Sequence, residues 1–195
     1  MRIKKYLSYS QYQCFNQSEE QYIKRYIDGV ELKNKYVDFG KKIAKGLENR
    51  KEKTDDPDIL LARKLIKASE ESEKEIRITF GKIPIFGVLD GFTSPSTVNE
   101  DKTSKNKWTQ AMVDKSEQLT FYAIMVSTEL KIPIEKVKIN LDWLPTFEDT
   151  DESIHLTGEI KTFKTKRTTT DALRIYPKMK RTWLGIESLI NDLIN

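Results

Sequence analysis

Cysteine is nearly absent from this chain. Cys14 is the only one among 195 residues, so no disulfide framework, cysteine-ligated zinc site or iron–sulfur cluster can be assembled within it. With Phe15 beside it, Cys14 reads as a packed or idle thiol in a reducing compartment. Histidine is as scarce. His155 stands alone, and a lone histidine in an alternating stretch reads as exposed or hydrogen-bonded rather than catalytic. No apolar run approaches the roughly 20 residues that span a bilayer, and MRIKKYLSYS carries bases with no sustained apolar region behind them, which is not a secretory pattern. A phosphate-binding loop ending in Gly-Lys-Ser/Thr is missing, so any ATP-driven step would belong to another subunit. Neither internal repeats nor low-complexity segments occur. Charge imbalance is slight: the net charge of +4 does not by itself imply nucleic acid. Its placement is uneven, since residues 1–153 carry 26 bases and 26 acids while residues 154–195 carry eight bases and four acids.

What is present describes a polar, soluble α/β chain, 37% hydrophobic and 33% charged. Its length suits one domain, with a core over about 8–145 and a C-terminal strand and helical cap over about 154–195. Ser8 to Ile27 reads as a helical entry capped by Ser8 or Ser10. Tyr36, Phe39, Gly40, Ile43, Ala44 and Leu47 give a second helix over Lys35 to Arg50 an apolar stripe, and Gly40 permits a close neighbour there. Pro57 to Lys74 reads as a third helix whose EESEKE end is a solvated face. Glu75 to Phe80 alternates and pairs, through a turn at Gly81 and Lys82, with Ile83 to Leu89.

Helix and strand then follow one another. Lys105 to Ser127 reads as one helix beginning near Trp108 to Met112, with Ala111, Leu119, Ala123, Ile124 and Val126 on the sheet. Lys136 to Leu144 is a strand ended by Pro145, with Val137, Ile139, Leu141 and Trp143 on one face. Glu148 to Glu152 is an acidic loop. Ile154 to Thr165 is a further strand, and Asp171 to Ile194 a helix interrupted near Pro177. The predicted architecture is a central mixed sheet of four or five strands flanked by helices.

The chemistry concentrates in Gly87 to Tyr122. Asp-Gly at Asp90 and Gly91 ends a buried strand where a side chain can meet solvent. In the short strand that follows, alternation puts Val98, Glu100 and Lys102 on one face and Asn99, Asp101 and Thr103 on the other. If the two strands pair around Thr93 to Ser96, Asp90 comes beside Glu100. Two carboxylates then offer the oxygen ligands that magnesium prefers, with an ammonium placed to steady a bound water or a phosphoryl oxygen. Lys115, Gln118 and Tyr122 fall at i, i+3 and i+7 of the predicted helix and share a stripe. Lys161, Lys164, Lys166, Arg167, Lys178, Lys180 and Arg181 read either as solvated faces or as contacts to a DNA backbone.

The segments GVLDGF, EDKTSK and QLTFY, in this order and with SYSQYQCF and FGKKIAKGLE before them, resemble the PD-(D/E)XK nuclease superfamily, in particular its RecB-like and phage-type exonuclease branch. The resemblance covers about Ser8 to Tyr122. It implies an α/β, restriction-endonuclease-like core and a magnesium-dependent deoxyribonuclease, with manganese as a substitute metal, acting as an exonuclease on double-stranded ends in recombination or repair. It further implies catalytic roles for Asp90, Glu100, Lys102, Gln118 and Tyr122, metal ligation by Asp90, Glu100 and the Asp101 backbone carbonyl, and DNA contact by Tyr9, Ser10 and Gln11. Lys105 and Lys115 join these as substrate-binding bases. Relatives with an iron–sulfur cluster use four cysteines, which this chain lacks. The branch usually carries a histidine four residues after a helix glycine; here that position is Ala44, and Glu48, one turn on, reads either as its substitute or as a solvated helix end. By the same resemblance the protein is cytoplasmic, in a bacterial or phage-infected cell, forms a homo-oligomer and works with a single-strand annealing protein. The alternative is a decayed nuclease core acting as a DNA-binding or protein-interaction module.

Overall fold

The computed structural model describes residues 5–31 and 34–194. Helices α1 (Tyr9–Gln17) and α2 (Glu19–Tyr22), the latter continuing as a wider helical turn over Ile23–Ile27, precede α3 (Lys35–Glu48) and α4 (Pro57–Leu65). Strands β1 (Glu71–Phe80), β2 (Ile83–Thr93) and β3 (Thr97–Ser104) follow, then α5 (Gln110–Lys115), α6 (Glu117–Leu130), β4 (Lys138–Glu148), β5 (Ile154–Leu156), β6 (Lys161–Thr165) and α7 (Thr169–Ile194). The fold is mixed α/β, a mixed sheet flanked by helices as the sequence pattern predicts, with six strands where four or five are expected. β1, β2 and β3 run antiparallel in turn, β3 and β4 are parallel, and β5 and β6 both pair antiparallel with β4. A parallel neighbour needs a crossover, and α6 supplies it.

The two sheet faces bury different cores. Ile139, Leu141 and Trp143 of β4 join Val98, Ile76, Leu89 and the apolar residues of α6 and α7 in one cluster, the face that their alternation predicts. Phe39, Ile43 and Leu47 of α3 pack with Ala62, Leu144 and Leu156 in the other. At Gly40 a Cβ would stand 3.2 Å from Thr103 Oγ1, so this glycine lets α3 lie close against β3.

Several boundaries differ from the sequence expectation, each for a local reason. α4 stops at Leu65 and β1 begins at Glu71, because the long run of β2 extends the pairing back to Glu71↔Phe92; a strand partner outweighs the helical preference of EESEKE. The helix expected over Lys105 to Ser127 is two, since Thr109 caps α5 and Ser116 caps α6. Pro145 does not end β4. It lies opposite Ser104, where β3 itself ends, and its carbonyl accepts the Thr157 N–H. The expected strand over Ile154 to Thr165 is broken in two around Gly158, whose φ of 86° only glycine adopts without strain. α7 runs unbroken through Pro177, and the carbonyl deprived of its donor belongs to Leu173, 65% exposed.

β2 and β3 part early. Their ladder covers only Gly91↔Asn99 to Thr93↔Thr97, while β1 stays paired with β2 down to Phe80↔Ile83. The freed edge of β2 is taken by Leu7, whose N–H donates to Pro84 and whose carbonyl accepts from Phe86. The fork between β2 and β3 is where the candidate site lies.

Candidate active site

Asp90 stands at the fork. The Asp101 N–H donates to its Oδ2 at 2.9 Å, so the carboxylate serves a β3 donor that has no ladder partner beyond Asn99. The β2–β3 ladder ends one step short of Asp90 and Glu100, at Gly91↔Asn99, and the Asp90 charge acts on Glu100. Asp90 and Glu100 therefore come together as their spacing predicts. Glu100 is 1% exposed and ion-paired with Lys102 through Oε1. Gln118 Nε2 donates to the same Oε1 and to the Tyr122 hydroxyl, both at 2.9 Å. Glu100 Oε2 and Asp101 Oδ1 are buried without a partner.

Burial, together with neighbouring charge, sets the protonation of these groups. Burial first and the Asp90 charge second push the Glu100 carboxyl up to about 8, against the pull of Lys102. Burial, then Asp90 and Asp142, push Asp101 up to about 7. Burial works to lower the Lys102 pKa, but the charges of Glu100 and Asp90 and the ion pair outweigh it and leave it raised. Lys102 is thus a fixed cation, a hydrogen-bond donor and not a base. Burial also lifts the Tyr122 phenol well above its ordinary range, which keeps it neutral.

Asp90 and Asp101 line one small cavity with Glu48, Ala44 and Arg50, where β1 adds Glu73. Partial burial and the charges of Asp90 and Glu48 raise the Glu73 carboxyl. Glu73 was not singled out in the sequence because EESEKE reads as a helical face. Extending the alternation of Ile76 and Ile78 backward is the one signal that would have put it on a strand. Among the described residues, no three His, Cys, Asp or Glu side chains stand together at metal-ligand spacing.

The remaining predicted residues scatter. Tyr9, half-buried at the start of α1, packs edge-on against Phe121 with centroids 5.4 Å apart and feels the Lys102 charge. With Trp108, Met112, Lys115 and Glu117 it lines an open groove of about 510 Å³. Ser10 is exposed, its hydroxyl 3.0 Å from that of Ser8. Gln11 corrects its expected DNA contact: it is fully buried, donates to the Tyr6 carbonyl and Ser8, and accepts from Tyr22, so it braces the helix entry. Lys115 ends α5, so the break at Ser116 removes it from the stripe it was expected to share with Gln118 and Tyr122. Lys105 is exposed in the loop after β3, and its charge acts on Glu148. Ala111 is exposed rather than packed on the sheet.

One expected surface group turns out to be structural, while His155 is hydrogen-bonded, in line with the sequence expectation. Arg167 is 2% exposed; its guanidinium donates to Thr120, Thr165, Lys166, Val113 and Ser116 and cannot track a DNA backbone. His155 lies between Asp58, 3.1 Å away, and Ser153, 2.8 Å away.

No family model matches this chain, and no curated protein matches it. Among solved structures it is similar to one named "Putative exonuclease", from Eubacterium rectale, at a TM-score of 0.58 and 14% identity over 93% of this chain and 82% of that one. It also aligns with SSO0001 at a TM-score of 0.45 and 16% identity, over 98% of this chain and 79% of the other. The first likeness extends to the fold. No helix among the described residues is long and apolar enough to cross a membrane.

Proposed function

We propose that the chain is a magnesium-dependent deoxyribonuclease that hydrolyses phosphodiester bonds at the fork between β2 and β3, working as an exonuclease on double-stranded ends. One observation carries the reading: a buried carboxylate with an unpartnered oxygen, Glu100, lies beside Asp90 and against a lysine that stays protonated. Burying a carboxylate this way costs free energy unless a cation compensates it. The Lys102 ammonium answers one oxygen and leaves the other. The donor set therefore fits a hard divalent cation. Asp90 and Glu100 would hold it, with the Asp101 carbonyl, and magnesium or manganese would supply Lewis-acid polarisation of a phosphoryl oxygen.

The chain's own groups have definite parts. Lys102, fixed in charge, holds the attacking water or the phosphoryl oxygen that gains charge as the P–O bond breaks. Gln118 ties Glu100 to Tyr122 and so keeps the carboxylate oriented. Tyr9 and Lys115, in the groove with Trp108, offer an aromatic face and a cation to the substrate strand. Ser10 and Lys105 are exposed donors on the approach. A homo-oligomer and an annealing-protein partner belong to the same reading.

Incubating the protein with end-labelled linear and closed circular DNA, in magnesium, manganese or EDTA, tests it. Loss of linear DNA is expected with either metal and not with EDTA, and Asp90→Ala and Lys102→Ala should abolish it. Cutting that survives both substitutions would reject the site.

A further inference from the structure

The open groove at the start of α5 leaves apolar surface uncovered on a polar chain. Trp108 and Met112 line it from the entry and first turn of α5, Tyr9 from α1, and Lys115 and Glu117 from the junction with α6. The other two tryptophans are interior, Trp143 at 8% and Trp183 at 9% exposure. Trp108 is only partly buried. It precedes Thr109, the N-cap of α5, and packs in part against the main core, so the ring is held in place and still reachable. Met112 is 45% exposed. Apolar groups left open together in this way mark a surface that a ligand covers.

The charges on the groove narrow the class of ligand. Glu117 is the acid among its lining residues, and both of its oxygens are taken: Lys178 donates to Oε1 at 2.7 Å and the Tyr12 hydroxyl to Oε2 at 2.9 Å. Lys115 is exposed at the end of α5 and enters no ion pair among the described residues. An aromatic face beside an uncompensated cation suits a flat ring that carries a phosphate. The volume of about 510 Å³ falls within the roughly 300–1,000 Å³ of small-ligand sites. The groove also adjoins the candidate site, because Tyr9 lines it and the Lys102 charge acts on the Tyr9 phenol. A base inside a duplex has both faces stacked on its neighbours. One that has left the stack has a face to offer.

We propose that this groove is a base site: it takes one unpaired nucleotide of a DNA strand, its base stacked on Trp108 and its phosphate on Lys115. This rests on the nuclease reading for the class of substrate and adds a requirement to it. The strand reaches the fork unpaired, so a duplex end has to open its last pair first, and Trp108 is a specificity-determining residue.

Titrating the full chain with a short oligothymidylate in EDTA, where no cleavage competes, tests the proposal by tryptophan fluorescence. Saturation should quench the emission, and Trp108→Phe should remove the quench while a labelled strand, followed by polarisation, still binds. Trp108→Leu should weaken binding about tenfold, the usual loss for one stacked base. A strand of equal length with abasic sites in place of its bases should bind the unaltered chain at least as weakly, a comparison that does not depend on how any variant folds. A duplex whose terminal pairs are covalently cross-linked should leave the emission unchanged. The base site is overturned if the oligothymidylate does not bind or binds without a quench, if the abasic strand binds as tightly, or if the cross-linked duplex quenches. Each of these leaves the nuclease reading to its own cleavage assay. A quench by oligothymidylate, with no metal-dependent loss of linear DNA, would overturn the nuclease reading and keep the base site.

Discussion

Lys102 and Glu100 leave β3 two residues apart on one face and meet in the interior, and their pairing decides what each can do. An ammonium held charged by two carboxylates donates and cannot accept a proton, so Lys102→Met should cut the rate of DNA cleavage by about 10²- to 10³-fold, the usual effect of losing one positioned donor. The measurement is single-turnover cleavage alongside DNA binding, which should change little. A large loss of binding with an unchanged cleavage rate would show that Lys102 holds DNA instead. The motif itself was legible, because a two-residue period fixes which face Glu100 and Lys102 share. Gln11 was not. Its burial depends on Tyr22 arriving from the next helix, and nothing near Gln11 in the chain announces that.

Secondary elements obeyed their patterns where the apolar period was long and failed where capping or distant pairing intervened. β4 and its buried face followed from alternation alone. The break between α5 and α6 turned on Thr109 and Ser116, two capping residues inside an apparently continuous helix. Arg167 then fastens that break: it donates to the carbonyls of Val113 and Ser116 at the end of α5 and to Thr120 on α6. Arg167→Met should lower stability by about 3 kcal/mol, since truncation leaves several buried acceptors without a donor. Urea unfolding followed by far-ultraviolet circular dichroism would measure it. A change below about 0.5 kcal/mol, typical of a surface site, would mean that the guanidinium is not holding these elements. A second tie joins the other core: Asp58 on α4 accepts the Leu156 N–H at 2.9 Å and binds His155. Asp58→Ala should therefore destabilise the protein by about 1–3 kcal/mol, again by urea unfolding, whereas an unchanged midpoint would make the β5 contact incidental.

For the molecule as a whole, the crowded acids link folding to pH and to metal. Glu100 rises from an ordinary 4.5 to about 8, and Asp101 from 3.8 to about 7. The folded chain therefore holds these protons more tightly than the unfolded chain does. Their contribution to stability is complete below about pH 4 and is lost as pH rises through about 7 to 8. In EDTA the melting temperature should fall by several degrees between about pH 5.5 and 8.5, at roughly 2–4 °C per kcal/mol for a chain of this size. Saturating magnesium should remove most of that fall, because a cation favours the ionised form. Scanning calorimetry at several pH values, with and without magnesium, reads this directly, and identical profiles in the two conditions would contradict it.

By itself the sequence determined the mixed α/β class, the apolar faces of α3, α6 and β4, and the common side of Glu100 and Lys102, because helix and strand periods are properties of neighbouring residues. Only the tertiary structure decided that β2 and β3 part after three rungs, that Glu73 lines the same cavity as Asp90, and that Arg167 is interior. Register and burial are set by partners far along the chain, and a local period carries no record of them.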